Sequence, residues 1–199
     1  MKDKSVVAIG LVRTKGEIEL TSVFERKRNT LELFVMSLCP FSKKAEASII
    51  EFLETFQGGT KPFLEVHYIF YRKVENGKQV FTCLHGEEEL NENLVQMVIR
   101  DVFADFYFAY LLARSASSDS WEQIADAVGI GKEGVKTIRD AVSEGRDSLI
   151  KKEYSYVAEK HGIYDASPTY VWESEPVKDI REITVFKDFE FVSERCLED

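Results

Sequence analysis

The sequence contains little cysteine: its 199 residues include only Cys39, Cys83 and Cys196. This small, odd number excludes a disulfide-stapled scaffold and leaves at least one thiol free or bonded to another molecule. Long apolar runs are also missing, and none approaches the roughly 20 residues that a membrane-spanning helix needs. There is no long basic run, and the formal net charge of −9 makes a phosphate backbone an unfavourable partner. We therefore expect neither a membrane span nor nucleic-acid binding.

The beginning of the chain does not have the pattern of a signal peptide. The stretch MKDKSVVAIGLVRTKGEIEL lacks both the basic start and the continuous apolar segment of such a signal. On this evidence alone the protein is expected in the cytoplasm. If a signal was removed, the expected location is periplasmic or secreted instead, so the sequence leaves the compartment open.

The composition is typical of a folded globular chain. Hydrophobic residues make up 44% and aromatic residues 12% of the sequence, which is enough to bury a sizeable core. The length suits one domain, or one domain that carries an inserted subdomain.

The first part of the sequence predicts strands around one amphipathic helix. Ser5–Phe24 is typical of a hairpin or of edge strands around a turn at Lys15–Gly16, and the apolar run Leu31–Met36 is short enough for a buried strand. After Cys39, apolar residues recur every three to four positions, as on one face of a helix. Phe63–Tyr71 predicts a second strand. The order strand, helix, strand favours a βαβ unit with a parallel pair of strands.

Residues 87–161 have a helical pattern. Apolar residues from Leu90 to Leu111 predict one long helix that is apolar nearly all round and buried between layers. Three shorter helical segments follow, each stopped by a glycine, so we expect about four helices.

The end of the sequence returns to strands. Pro168–Ser174 and Asp179–Phe186 predict an antiparallel pair, and Lys187–Leu197 is compatible with a short terminal helix.

Cys39 stands at the junction between the first predicted buried strand and the following helix. Pro40 suits the first helical position, which makes Cys39 the expected N-cap residue. The unpaired amides and the positive end of the helix dipole favour a thiolate there, with Lys43 and Lys44 as additional cations. The alternative is that Cys39 is only a small buried apolar residue at a strand end.

The order of three segments resembles the thioredoxin superfamily, specifically its DsbA-like branch. These segments are the strand followed by CPFS, the helical stretch, and YDASPTYVWE near the end. The resemblance implies an α/β, thioredoxin-like fold with an inserted α-helical subdomain. Its expected parts are an N-terminal extension at 1–30, the thioredoxin-like domain at 31–86 and 162–199, and the insertion at 87–161.

The same resemblance implies the residues of the site. Cys39 matches the first cysteine of the C-x-x-C motif, and Pro168 matches the cis-proline that lies against it. The backbone of Ser167 is then expected to be free to pair with an extended substrate or with glutathione. Pro40 and Phe41, together with Ser167 and Pro168, are expected to contact the substrate.

A second segment, CLHGEEELNEN at Cys83–Asn93, is similar to a motif of the lysosomal thiol reductases induced by gamma interferon. Leu90 stands where that family has a second cysteine, so the family's disulfide cannot form here in the same way. Cys83 is left unpaired or available to Cys196 or Cys39. His85 more simply belongs to a helix start, and too few further ligands surround these residues to predict a metal site.

Ser42 departs from the C-x-x-C motif. A serine has no sulfur with which to release a mixed disulfide, so an external thiol such as glutathione would have to do so. The Ser42 hydroxyl can donate a hydrogen bond to a Cys39 thiolate, or it can be an ordinary residue of the first helical turn. We therefore expect thiol-disulfide exchange with Cys39 as nucleophile, Ser42 beside it, no bound cofactor and glutathione as a co-substrate.

Two other functions remain open on this sequence. One is a glutathione-dependent transferase or isomerase of the kappa type, in which Ser42 or Cys39 only orients the glutathione thiolate. The other is a peptide-binding module that has lost catalysis and uses aromatic surface from Phe41, Trp172 or the helix at 103–110.

Overall fold

The computed structural model describes residues 7–14, 17–25, 27–187, 189 and 196–197. In chain order the strands are β1 (Val7–Thr14), β2 (Glu17–Glu25), β3 (Thr30–Val35), β4 (Phe63–Tyr68), β5 (Tyr71–Glu75), β6 (Lys78–Thr82), β7 (Ala166–Ser167), β8 (Thr169–Trp172), β9 (Glu175–Val177) and β10 (Cys196–Leu197). The α-helices are α1 (Pro40–Glu54), α2 (Gly86–Val102), α3 (Ala104–Ala116), α4 (Trp121–Ala127) and α5 (Gly131–Tyr154).

A mixed four-stranded sheet organises the fold, with strands in the order β4-β3-β8-β9. β3 and β4 are parallel and are joined by α1, as the strand-helix-strand pattern predicted. β8 runs antiparallel to β3, and β9 runs antiparallel to β8. This mixed sheet, accompanied by helices, confirms the predicted α/β, thioredoxin-like fold class.

Both faces of β3 are buried, which explains why four of its six residues are apolar, while Glu32 is a buried charged residue within it. Leu31, Leu33 and Val35 belong to the larger core together with apolar residues of α1, whereas Phe34 belongs to a smaller apolar cluster that also contains Cys39. Full burial of each large apolar side chain contributes about 1.5 to 3 kcal/mol. The strand that leads to Cys39 is therefore firmly fixed.

The helices α2 to α5 lie in the chain between β6 and β7. The prediction of one long buried helix was wrong, because Phe103 leaves the helical conformation (φ −124°, ψ 45°) and separates α2 from α3. α3 is not buried all round: Phe108 is exposed. Gly145, the glycine expected to stop the second of the three shorter segments, does not end a helix, since α5 continues through it and then into a π-helix at Ser155–Lys160. The boundaries of the predicted inserted subdomain stay a prediction.

The two ends of the chain differ from the prediction in part. β1 and β2 form an antiparallel pair, while Ser5, Val6, Lys15 and Gly16 of the predicted hairpin lie outside the described residues. The segment predicted as a strand at Asp179–Phe186 instead forms two 3-10 turns, and β9 takes its place beside β8.

The predicted terminal helix at Lys187–Leu197 falls largely outside the described residues. Within it, Cys196 and Leu197 form β10 rather than a helix, and this strand pairs with β7. None of the described helices is long and apolar enough to cross a membrane.

Candidate active site at Cys39

Cys39 lies where β3 gives way to α1. Its backbone N–H donates to the Met36 carbonyl oxygen at 3.0 Å, and its own carbonyl accepts from Lys43 N–H at 3.0 Å. Cys39 is the N-cap residue with extended backbone (φ −64°, ψ 123°), and Pro40 follows at the start of the helix. The thiol therefore sits at the end of the helix that favours an anion. Cys39 is a free thiol, and its exposed fraction is 0%.

The segment that precedes β8 lies against Cys39. The Sγ atom of Cys39 is 3.8 Å from the Ser167 carbonyl oxygen. The Ser167–Pro168 peptide bond is cis. The Ser167 hydroxyl accepts a hydrogen bond from Met36 N–H at 2.7 Å, which links this segment to the end of β3. Residues more than a hundred positions apart in the sequence are thus neighbours here.

The Ser42 hydroxyl is buried and hydrogen-bonded to the Ser167 hydroxyl. In the described part of the chain its hydrogen-bond partner is therefore Ser167, and not the Cys39 sulfur that the sequence suggested. Pro40 is exposed, and Phe41 is half-buried against the apolar cluster that contains Cys39. The structure therefore brings Phe41, Ser42 and Ser167 together around Cys39, and their roles in a reaction stay a prediction.

The resemblance led us to expect a free backbone at Ser167, but the backbone of Ser167 is paired with another strand. β10 pairs antiparallel with β7, with Cys196 opposite Ser167 and Leu197 opposite Ala166. The chain's own terminal strand therefore occupies the edge that an extended substrate was expected to use.

The segment Cys83–Asn93 supports the loop that leads to Cys39, which the sequence did not reveal. The buried Glu89 carboxylate accepts from Leu38 N–H at 3.0 Å, and the Asn93 side-chain oxygen accepts from Ser37 N–H at 3.2 Å. Glu89 also accepts from His85 N–H at 3.1 Å, and its carboxylate is 2.8 Å from the His85 ring nitrogen Nδ1. From the sequence alone, Glu87, Glu88 and Glu89 form an ordinary acidic helix start that complements the helix dipole. The sequence does not distinguish Glu89 from Glu87 and Glu88; only the packing of the helix shows that Glu89 is buried and its neighbours are exposed.

Cys83 is a buried thiol inside this support. The Asn93 amide donates to its sulfur at 3.4 Å, and the thiol donates to the Ile69 carbonyl oxygen at 3.8 Å. Burial, reinforced by the Glu89 carboxylate, raises the pKa of the Cys83 thiol far above its usual range. Leu90, in the position of the missing second cysteine, is part of the core. Cys83 therefore stays protonated, and a protonated thiol is not the nucleophilic form.

The comparison with protein families bears on this region. Residues 30–122 match the family model described as gamma interferon inducible lysosomal thiol reductase (GILT). This confirms the local resemblance drawn from Cys83–Asn93. The match also covers Cys39 and Ser42, but ends before Ser167–Pro168 and spans somewhat less than half of the chain. No curated protein matches the chain.

A partly buried charge cluster lies on β3 and β4, with Glu32 buried and Glu65 half-exposed, and no residue of it was singled out in the sequence. Glu32, Glu65 and His67 are close enough together to hold a metal ion. The Lys27 ammonium, however, donates to both carboxylates, at 2.8 Å in the case of Glu32. The protein's own cation thus already contacts both carboxylates and offsets one of their two negative charges.

A cavity of about 530 Å³ lies beside this cluster. Its lining includes His67, Arg100, Phe108 and Glu153, and none of the residues predicted for the active site. The Arg100 guanidinium forms two hydrogen bonds to the Glu153 carboxylate, at 2.9 and 3.1 Å. Burial alone would raise the pKa of Glu153, but hydrogen bonding to His67 and Arg100 outweighs it and lowers the pKa to about 2. This pair is a fixed structural link between α2 and α5.

Proposed function

We propose that the chain is a thiol-disulfide oxidoreductase whose nucleophile is Cys39, acting through mixed disulfides as a reductase or isomerase. The observation that carries this proposal is the position of Cys39 at the N-terminus of α1, 3.8 Å from the Ser167 carbonyl oxygen that precedes Pro168. The similarity of residues 30–122 to a family described as thiol reductases supports an oxidoreductase of this kind.

The chemistry begins with the Cys39 thiolate. It attacks one sulfur of a substrate disulfide, a new bond forms between Cys39 and that sulfur, and the other sulfur leaves as a thiolate that takes up a proton. Ser42 cannot attack the resulting mixed disulfide, because it has no sulfur. A second thiol must therefore attack Cys39 Sγ and release the remaining substrate sulfur, and glutathione is the external thiol that we propose.

Ser42 and Ser167 have a supporting part in this proposal. Their hydroxyls bond to each other, and Ser167 also accepts from the Met36 N–H just before the Cys39 loop. Together they fix the separation between the helix start and the Pro168 segment. Pro40, Phe41 and Pro168 are the proposed contacts for the substrate.

Protein disulfides and glutathione are the proposed partners. The family description names a lysosomal thiol reductase, which supports a compartment outside the cytoplasm for this chain as well. Disulfides also form and persist mainly outside the cytosol, which fits a substrate in such a compartment.

The test is the reduction of a disulfide-linked test peptide by glutathione in the presence of the purified chain. We expect Cys39→Ser to lower the rate to that of glutathione alone, while Cys83→Ala keeps the wild-type rate, because Cys83 is buried as a thiol. Equal rates for wild type and Cys39→Ser would contradict the proposal.

Glutathione binding separates the other functions that the sequence left open. Tight binding of reduced glutathione that persists in Cys39→Ser, without peptide reduction, would favour the transferase. Peptide binding without either property would favour the binding module.

A further inference from the structure

The terminal strand β10 brings a second cysteine to the site. Cys196 lies opposite Ser167 in the antiparallel pair with β7. Residues directly opposite in such a pair have Cα atoms about 4.5 to 5.5 Å apart. Ser167 is also the residue whose carbonyl oxygen lies 3.8 Å from Cys39 Sγ. The backbone of one residue is thus next to both cysteines, although they are far apart in the sequence.

The site lacks the thiol that a C-x-x-C motif would supply. Position 42 is a serine, and Cys83 is occupied by contacts to Asn93 and to the Ile69 carbonyl. Cys83 is also buried among groups that disfavour its thiolate. Of the three cysteines in the sequence, Cys196 is therefore the one left to act together with Cys39.

We propose that Cys196, in place of glutathione, is the thiol that resolves the mixed disulfide at this site and that it forms a reversible disulfide with Cys39. The inference rests on the proposed function, since it needs a mixed disulfide at Cys39. The Cys196 thiolate attacks Cys39 Sγ, the Cys39–Cys196 bond forms, and the substrate sulfur leaves as a thiolate that is then protonated. Two molecules of a thiol such as glutathione then reduce the internal disulfide and become one oxidised glutathione.

The same strand controls access to the nucleophile. Cys39 has an exposed fraction of 0%, and the edge of Ser167 beside it is already paired with β10. An extended substrate that pairs with Ser167 must displace β10, and the return of β10 brings Cys196 back beside the mixed disulfide. Substrate entry and release of the second product thus depend on one two-residue strand. Because β10 pairs with β7 through only two residues, the replacement of β10 by a substrate breaks few hydrogen bonds.

The experiment treats the fully reduced chain with oxidised glutathione, followed by intact-mass measurement and non-reducing peptide mapping. In wild type we expect two thiols to be lost, little retained glutathione, and a peptide pair joined through Cys39 and Cys196. In Cys196→Ser we expect one glutathione to remain on Cys39. Cys83→Ala should behave as wild type.

A matched variant tests the register. Cys196→Ser combined with Leu197→Cys keeps a thiol in β10 but moves it one residue, to the opposite face of the strand. We expect this variant to retain glutathione on Cys39, as Cys196→Ser does. Formation of the internal disulfide as fast as in wild type would show that any thiol on the tail suffices and would overturn the register argument.

The outcomes separate this inference from the proposed function. Equal retention of glutathione on Cys39 in wild type and in Cys196→Ser, without a linked peptide pair, would overturn the role of Cys196 and leave exchange at Cys39 intact. The absence of both glutathione and a linked pair from Cys39 in every variant would overturn the proposed function, and this inference with it.

Discussion

The hydroxyl groups of Ser42 and Ser167 are hydrogen-bonded to each other in the buried region beside Cys39. Position 42 is three residues after Cys39, where a dithiol site has its second cysteine, and residues three apart on a helix are neighbours. The side chain at position 42 thus points toward the site and is hydrogen-bonded to the segment that contains Pro168. Its side chain carries an oxygen where resolution of a mixed disulfide needs a sulfur.

Replacement of Ser42 by cysteine should therefore create a dithiol site. In a Cys196→Ser background we expect Ser42→Cys to release both substrate thiols in a single turnover without glutathione, because the new sulfur attacks the mixed disulfide. Ser42→Ala in the same background should stop at the mixed disulfide. The measurement is the number of thiols released per protein molecule. If Ser42→Cys and Ser42→Ala each released only one substrate thiol per protein molecule, the proposed geometry of position 42 would be contradicted.

The Glu89 carboxylate should be needed to hold the loop before Cys39. It accepts from Leu38 N–H and His85 N–H and also contacts the His85 ring. In Glu89→Gln the amide nitrogen faces one of these N–H groups and leaves it unpaired, at a cost of about 1 to 3 kcal/mol. We expect a lower free energy of unfolding in urea and an altered alkylation rate of Cys39.

Glu88→Gln is the control for this substitution, since Glu88 is an exposed neighbour on the same helix. It should leave both quantities unchanged. Equal effects of the two substitutions would show that helix charge, and not the contact with the loop, is what matters.

Glu46 on α1 should make stability fall as the pH rises. Burial raises the pKa of its carboxyl to about 8 from 4.5, against the opposing effect of Lys43. Below pH 4.5 the group is protonated in both the folded and the unfolded chain. Between 4.5 and 8 only the unfolded chain releases the proton, so the folded state loses stability over this range, by at most about 5 kcal/mol.

We therefore expect Glu46→Gln to gain stability relative to wild type between pH 5 and pH 8, measured as the difference in free energy of unfolding. Glu51→Gln, on the exposed side of the same helix, should follow wild type. A constant difference between Glu46→Gln and wild type across this range would contradict a raised pKa.

The Arg100–Glu153 pair should be a stabilising link whose loss is costly. Arg100→Met removes the guanidinium from the buried Glu153 carboxylate and leaves it, among the described residues, only the His67 ring and the Tyr68 N–H, so the cost is at most that of a broken buried pair, about 3 to 5 kcal/mol. Arg139 forms an exposed pair with Glu122, so Arg139→Met should cost about 0 to 1 kcal/mol. Urea unfolding at pH 7 measures both.

The pH dependence of this link follows from Glu153. Its pKa is lowered to about 2 from 4.5, so its stabilising contribution is present above pH 4.5 and is lost as the pH falls toward 2. The difference between Arg100→Met and wild type should narrow over that range. A difference that does not change with pH would contradict the charge pairing.

The parts of the fold that the sequence predicted well are those encoded by local patterns. The buried run before Cys39, Pro40 at the first helical position and the apolar face of α1 are local signals, and they give the βαβ unit and the position of the nucleophile.

The errors lie where packing overrides the local pattern. Phe103 breaks a continuous apolar periodicity, and Gly145 is accommodated inside a long helix. Glycine lowers helix propensity by only about 1 kcal/mol, which the packed faces of α5 exceed. Tertiary contacts therefore explain why the helix boundary at Phe103 was missed and why the one expected at Gly145 does not exist.

The support of the site depended on long-range contacts that leave little trace in the sequence. Glu89 and Asn93 bond to a loop some fifty residues earlier, and Cys196 pairs with Ser167 through a strand of two residues. Neither an acidic helix start nor a single cysteine near the end of the chain distinguishes such residues from ordinary ones.

The most direct test of the account is made on a chain in which Cys39 is the only cysteine, with Cys83→Ala and Cys196→Ser. The reduced protein is mixed with oxidised glutathione, and its intact mass is followed over time. The account predicts one glutathione per chain, on Cys39, removed again by excess reduced glutathione. A chain that remains unmodified while folded, and that reacts only after denaturation, would contradict the claim that Cys39 carries out disulfide exchange.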